Sequence, residues 1–130
     1  MGMFYTRKYQ VVELIGGIEL GLIEKIMTLI ANSGDARSKA MEAIKVSKEN
    51  DFENANSLLE VASTELINAH RVQTQLIQEE AAGNKQDITL LMIHAQDHLM
   101  NSMTVKELAV ELVSLHKRIH TIEIEKGNVG

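Results

Sequence analysis

Apolar residues recur at alternating spacings of three and four along three long stretches of the chain, and no other feature constrains the fold as strongly. A helix brings residues three and four apart onto one face, whereas a strand does so for every second residue. The chain contains no proline, so the residue that breaks helices most strongly is missing throughout. The pattern therefore predicts an all-α protein built from three long helices.

The first stretch runs from about Gly17 to Lys48 and has one weak point. The helix is expected to be weakest at Asn32-Ser33-Gly34, because glycine lowers helix stability by about 1 kcal/mol relative to alanine. The apolar stripe keeps its phase across the run, which favours one continuous helix over two. The stripe comprises Ile23, Ile26, Ile30, Ala40 and Ile44, with Ser33 and Arg37 completing it.

The second stretch has a seam of the coiled-coil type between recognisable helix ends. Asn50 followed by Glu53 is a variant of the capping box, and Gly83 is typical of a helix stop. Towards its end the seam becomes polar, because Gln73 and Glu80 occupy seam positions. The apolar part consists of Phe52, Ala55, Leu59, Ala62, Leu66 and Ala69.

The third stretch runs from about Ile88 to His120, and Asp87 is its expected N-terminal cap. Its seam is apolar in the second half and polar in the first. The apolar members are Val105, Leu108, Leu112, Leu115 and Ile119, and extending the line backwards gives Asn101, His98, His94 and Leu91. Polar groups on a buried stripe carry a desolvation cost unless they find partners. We therefore expect these residues to be either hydrogen-bonded core residues or functional ones.

About five residues join the second and third stretches, which makes the two helices antiparallel neighbours. The polar end of the second helix then lies beside the polar start of the third. On this arrangement His70, Gln73 and Gln78 approach the level of His94 and His98. One end of the bundle is expected to collect the unusual polar residues.

The overall composition restricts the function and the location. A net charge of −5 argues against binding to nucleic acid, which depends on lysine and arginine. The absence of cysteine excludes disulfides, thiolate metal sites and cysteine nucleophiles, and it is compatible with the cytoplasm. No apolar run reaches the roughly 18 residues of a membrane span, and the N-terminus lacks a signal-peptide layout. We expect one helical domain over residues 17–120, with an unassigned segment 1–16 before it and a tail 121–130 after it.

His94 and His98 lie one turn apart on one helix face, and several interpretations of the pair remain open. The simplest is a pair of hydrogen-bonded or half-exposed structural histidines. We expect this role for the similar pair His116 and His120, which lies beside basic residues in what the pattern predicts to be the last turn.

Metal binding and phosphoryl transfer are the two functional interpretations of the first pair. A zinc peptidase needs Glu directly after the first histidine, where this chain has Ala95. Asp97 points too far around the helix to complete a zinc site easily with both histidines. A neutral imidazole, in contrast, is a good nucleophile near pH 7 because its pKa is about 6.5. A hydrogen bond to one ring nitrogen directs the reaction to the other.

Three motifs, SGDARS at 33–38, NAHRVQTQLIQEEA at 68–81 and HAQDHLM at 94–100, resemble the lactose/cellobiose-type enzyme IIA of the bacterial sugar phosphotransferase system. They resemble the first-helix motif, the end of the second helix and the active-site motif of that family, in the same order. The resemblance covers about residues 26–118.

The resemblance implies an antiparallel three-helix subunit in a parallel homotrimer. It also implies that His94 accepts a phosphoryl group from phospho-HPr through Nε2. The group then passes to a cysteine of the sugar-specific IIB protein, which works with IIC. Asp97 is expected to bind a divalent metal ion, assigned as Mg, which three copies share on the trimer axis. Gln96 and His98 are expected to support the site.

The implied system takes up a β-linked disaccharide of the lactose, cellobiose or chitobiose class. The sequence around residues 33–44 favours the cellobiose/chitobiose branch. The alternative from another functional class is a non-catalytic helical oligomerisation module, in which the two long seams serve assembly and the histidines are incidental.

Overall fold

The computed structural model describes residues 20–129 and shows three α-helices in chain order. They are α1 (Leu20–Lys48), α2 (Phe52–Ala81) and α3 (Leu90–Val129). Within these residues there is no strand, so the predicted all-α, three-helix class is confirmed. Within residues 20–129, no helix contains the long apolar stretch that a membrane span requires. The unassigned segment 1–16 lies outside the described residues.

Helix α1 is continuous through Ser33 and Gly34, which confirms the prediction of one helix. It packs extensively against both other helices, whereas α2 and α3 touch each other much less. Its inward face is therefore wider than a single seam. The buried residues are Leu22, Ile26, Leu29, Ser33, Ala36, Ala40, Ala43 and Ser47. Of the predicted stripe, Arg37 is exposed, and the residues that are only half-buried are Ile23, Ile30 and Ile44.

The turn between α1 and α2 differs in its cap from the prediction. Asn50 has a positive φ of 63° and ends the preceding helix. Its N–H donates to the Ser47 carbonyl, and the Asp51 N–H donates to the Val46 carbonyl, each at 3.1 Å. Asp51 is the cap of α2, because its side chain accepts from the Asn54 N–H at 3.2 Å. The predicted capping box of Asn50 and Glu53 is therefore wrong, since Asn50 is needed in the left-handed conformation to close α1.

The turn between α2 and α3 begins at the predicted glycine. Gly83 has a φ of 95°, and the N–H groups of Gly83 and Asn84 donate to the carbonyls of Glu80 and Glu79 at 3.0 Å. This is the Schellman arrangement that glycine favours. The predicted cap at Asp87 is wrong. Thr89 takes that place, because its Oγ1 accepts from the Met92 N–H at 3.2 Å.

The inward face of α2 is the predicted one. Its buried residues are Ala55, Leu59, Ala62, Leu66, Ala69 and Leu76, and Phe52 is half-buried. Alternation of leucine with alanine along this face fits a helix that packs closely on α1.

The inward face of α3 is displaced from the predicted seam by one residue. The buried residues are Ala95, Leu99, Ser102, Ala109 and Val113. The predicted Leu108, Leu112, Leu115 and Ile119 are 57, 38, 50 and 43% exposed. Small residues let α3 approach α1 closely enough to fill the interior, so the alanine- and serine-rich face turns inwards. The bulkier stripe remains on the outer surface of the subunit.

Pairs of contacts between helices define the register. Ser33 pairs with Ser102, and Ser47 pairs with His116, so that α1 and α3 match at a constant offset of 69 positions. Between α1 and α2, Lys25 forms an ion pair with Glu79 at 2.6 Å.

Helix α3 continues beyond the predicted end at His120, so the expectation that His116 and His120 lie in its last turn is wrong. Both histidines are structural. Nδ1 of His116 lies 2.6 Å from Ser47 Oγ, and the His120 ring lies 5.8 Å from the ring of Phe52. They close the end of the bundle opposite to the first histidine pair.

Candidate functional site

His94 and His98 lie together on the surface of α3. His94 is exposed and His98 is half-buried. Their Nε2 atoms are 3.0 Å apart, and the rings meet edge to face with centroids 4.4 Å apart. A hydrogen bond between two ring nitrogens needs a proton on one and a lone pair on the other. The pair can therefore present one unprotonated Nε2 beside one Nε2–H donor.

The backbone under this pair is fixed by core packing. Ala95 and Leu99, which directly follow the two histidines, are fully buried in the cluster that joins all three helices. Residues one apart on a helix point about 100° away from each other. Burial of these two residues therefore holds both histidines at the edge of the interface and leaves His94 open to an incoming macromolecule.

The polar residues of α2 do not surround the histidines as expected. Gln73 donates from Nε2 to Gln96 Oε1 and so links α2 to α3. Gln96 is two residues from His94, which places it about 200° around the helix. His70 lines a separate groove of about 380 Å³ with Met103. Gln73 and His70 therefore meet α3 at Gln96 and Met103, and not at the histidine pair.

Asp97 occupies an apolar part of the surface. It is exposed between Ile93 and Met100, which are themselves 48 and 55% exposed. It also lines a groove of about 270 Å³ with Ile77 and Met92. Over residues 20–129, no three His, Cys, Asp or Glu side chains come together as a metal site. Glu80 and Asp87 line the same groove, but they do not form such a cluster with Asp97.

Two buried serines lie beneath the turn that carries His98. Ser102 Oγ is 2.6 Å from the His98 carbonyl oxygen and 2.7 Å from the Ser33 carbonyl oxygen. Ser33 Oγ is buried and has no hydrogen-bond partner in the described part of the chain. The sequence pattern did not indicate Ser102, because the predicted seam runs one residue earlier, through Asn101.

A pair of carboxyl groups lies on the face between α1 and α2. A side-chain hydrogen bond to Asp35 raises the pKa of Glu65, and partial burial and the Asp35 charge act in the same direction. Lys39 lies near this pair, 3.6 Å from Asp35, and opposes the effect. This pair joins α1 to α2, whereas the two histidines lie on α3.

The family model for the lactose/cellobiose-specific IIA subunit of the phosphotransferase system matches residues 24–117. The chain belongs to this family. It is therefore a phosphotransferase component, and the match includes all three motifs from which the resemblance was inferred.

Named relatives agree with this assignment. The lichenan-specific IIA component of Bacillus subtilis (strain 168) is 52% identical over 94 residues, covering 72% of this chain and 86% of that protein. The N,N'-diacetylchitobiose-specific IIA component of Escherichia coli (strain K12) is 45% identical over 98 residues, covering 75% of this chain and 84% of that protein.

Solved structures of IIA proteins match the fold. The cellobiose-specific enzyme IIA of Bacillus anthracis superposes with a TM-score of 0.74 at 47% identity, covering 75% of this chain and 90% of that one. The chitobiose IIA of Escherichia coli, solved in complex with HPr, gives a TM-score of 0.67 at 43% identity, covering 76% of this chain and 96% of that one.

Proposed function

We propose that His94 accepts a phosphoryl group from phospho-HPr and passes it to the cysteine of a sugar-specific IIB protein. The observation that carries the proposal is an exposed imidazole whose Nε2 lies 3.0 Å from that of His98. Its support is membership of the IIA family and the similarity to a IIA protein solved with HPr.

The expected chemistry uses the two ring nitrogens of His94 in different ways. With the proton of neutral His94 on Nδ1, the lone pair on Nε2 attacks phosphorus. The bond from phosphorus to the donor group of HPr breaks, and its electron pair returns to that group. In the second step the IIB thiolate attacks phosphorus and the electron pair returns to His94.

His98 supports this reaction as a donor. We assign the proton between the two rings to Nε2 of His98, so that His98 donates to the Nε2 lone pair of His94 in the resting protein. When that lone pair has bonded to phosphorus, the same donor is within reach of a phosphoryl oxygen. Hydrogen-bond donors directed at developing negative charge are among the larger contributions to enzymatic rate acceleration.

Gln96 supports the site indirectly. Its contact with Gln73 connects two helices that otherwise touch little. We assign it the role of holding the start of α3 against α2, and no direct contact with the phosphoryl group.

The proposed assembly is a parallel homotrimer of antiparallel three-helix subunits. The outer stripe of α3, with Leu108, Leu112 and Leu115 all exposed in the single subunit, supplies apolar surface for it. Three Asp97 carboxylates converging on one axis would repel each other in such a poorly solvated setting. A shared divalent metal, with Mg as the expected ion, neutralises them.

The proposed pathway is uptake of a β-linked disaccharide through IIB and IIC, with this chain in the cytoplasm. The relatives named for lichenan and N,N'-diacetylchitobiose support the cellobiose/chitobiose branch over lactose. The experiment is a reconstitution with enzyme I, HPr and phosphoenolpyruvate, followed by intact mass. We expect a gain of one phosphoryl group that is lost on addition of the cognate IIB. An oligomerisation module without catalytic function gives no change in mass.

A further inference from the structure

The hydroxyl group of Ser102 sits between two backbone carbonyls that belong to different helices. It lies 2.6 Å from the His98 oxygen on α3 and 2.7 Å from the Ser33 oxygen on α1. A carbonyl oxygen can only accept, so the single hydroxyl proton is shared or alternates between the two. The side chain is fully buried, which shields these bonds from competing water.

The two serines at this level are not equivalent. The interhelical bond uses the Ser102 hydroxyl and the main chain of Ser33, while the Ser33 hydroxyl has no hydrogen-bond partner among residues 20–129. Replacing Ser33 with alanine therefore leaves the acceptor in place. Replacing Ser102 with alanine removes the donor from both carbonyls.

The bond lies directly beneath the histidine pair. The carbonyl that Ser102 holds is that of His98, whose ring meets His94 at 3.0 Å between Nε2 atoms. His98 is only half-buried, so its ring orientation depends on how firmly its backbone is held. A positional error of about 1 Å in a reacting group can cost up to about 100-fold in rate.

We infer that Ser102 is a positioning residue for phosphoryl transfer. Its hydroxyl fixes the turn that carries His98 against α1 and so keeps the His98 donor aligned with Nε2 of His94. This inference rests on the proposed role of His94, and it names a residue that touches neither the phosphoryl group nor HPr.

The chain offers two matched controls. Ser33→Ala removes a buried hydroxyl at the same level without removing a bond. Ser47→Ala removes the equivalent serine at the far end of the bundle, where Ser47 Oγ links α1 to His116 of α3 at 2.6 Å. Ser47 is also fully buried, so Ser47→Ala shows the effect of weaker packing between α1 and α3 far from the histidine pair.

The first measurement is independent of phosphorylation. Imidazole ¹⁵N and ¹H spectra of the intact protein, recorded at one fixed pH, report the tautomers of His94 and His98 and the hydrogen bond between their rings. We expect Ser102→Ala to change the tautomer populations of both rings and to weaken that hydrogen bond. Ser33→Ala and Ser47→Ala should leave the tautomers and the hydrogen bond as in the wild type.

The second measurement is the rate of phosphoryl transfer from phospho-HPr. We expect Ser102→Ala to lower kcat about tenfold, within the range for a misplaced group, with KM for phospho-HPr unchanged. Unchanged spectra in Ser102→Ala, or equal losses of kcat in Ser47→Ala, would overturn the inference. A wild-type protein that gains no phosphoryl group refutes the proposed function instead, and the spectra then still decide whether Ser102 positions the histidines.

Discussion

His98 is the residue whose role the geometry defines most closely after His94. Because its Nε2 lies 3.0 Å from Nε2 of His94 and is the proposed donor, we expect His98→Gln to slow transfer by up to about 100-fold, the scale of losing one directed donor. Labelling of His94 at long times should persist. Complete loss of labelling in a folded His98→Gln protein would show that the two histidines have been assigned in the wrong order.

Glu65 provides a test of the carboxyl pair through pH. Its pKa is raised in the folded state by Asp35, so the folded protein holds this proton more tightly than the unfolded chain does. The stabilising contribution is present below the unfolded pKa and is lost as the pH rises through the raised folded pKa. Above that range the two charges repel.

We therefore expect Glu65→Gln to raise Tm at pH 7 and to lose this advantage as the pH falls below the raised pKa. The matched control is Glu60→Gln, an exposed carboxylate on the same helix. Thermal unfolding by circular dichroism at several pH values measures both. A Glu65→Gln protein less stable than wild type at pH 7 would mean that the carboxylate has a favourable partner there.

At the scale of elements, the N-terminal cap of α3 differs from the one that the sequence predicts. Thr89, and not Asp87, accepts the Met92 N–H at the start of α3. Loss of an N-cap side chain costs about 1 kcal/mol. We expect Thr89→Ala to lower the free energy of unfolding by that amount in urea titrations. Asp87→Ala should change it by less than about 0.5 kcal/mol. A larger loss of stability in Asp87→Ala than in Thr89→Ala would show that Asp87 is the cap.

The helices themselves were largely predictable, but the face of α3 that packs inside the subunit was not. On α2 the large residues Leu59 and Leu66 lie on the buried seam, so following the bulkiest apolar residues gives the right face. On α3 the same rule selects Leu108 and Leu112, which are exposed in the subunit. Two apolar faces compete there, and a sequence pattern does not say which one packs within the subunit.

The histidine pair was predictable for a different reason. Its contact depends only on the helical spacing of four, so it follows from local geometry once the helix is right. The contacts of Gln96 and Ser102 depend instead on which residues of α1 and α2 lie opposite. That information comes from tertiary packing, and no spacing along α3 contains it.

At the scale of the whole molecule, the proposed assembly depends on Asp97 and the surrounding apolar surface. We expect Asp97→Leu to keep or reshape a trimer without metal, because apolar replacement of buried charge is often tolerated. Asp97→Ala removes the ion ligand and does not fill the space of the lost side chain, so it should weaken association.

Sedimentation equilibrium with and without a chelator measures this directly. The wild type should sediment as a trimer that the chelator weakens, and Asp97→Leu should be insensitive to the chelator. A wild-type protein that remains monomeric at all concentrations would refute the proposed assembly.

The central claim is that His94 carries the phosphoryl group, and the most direct test compares its alanine variant with the wild type. Each protein is incubated with enzyme I, HPr and phosphoenolpyruvate, and the intact mass is recorded with circular dichroism as a check of folding. His70→Ala is the matched control, because His70 is an exposed histidine on a different face. We predict one phosphoryl group on the wild type and on His70→Ala, and none on a fully helical His94→Ala. A phosphoryl group that persists on another histidine of His94→Ala would contradict the account.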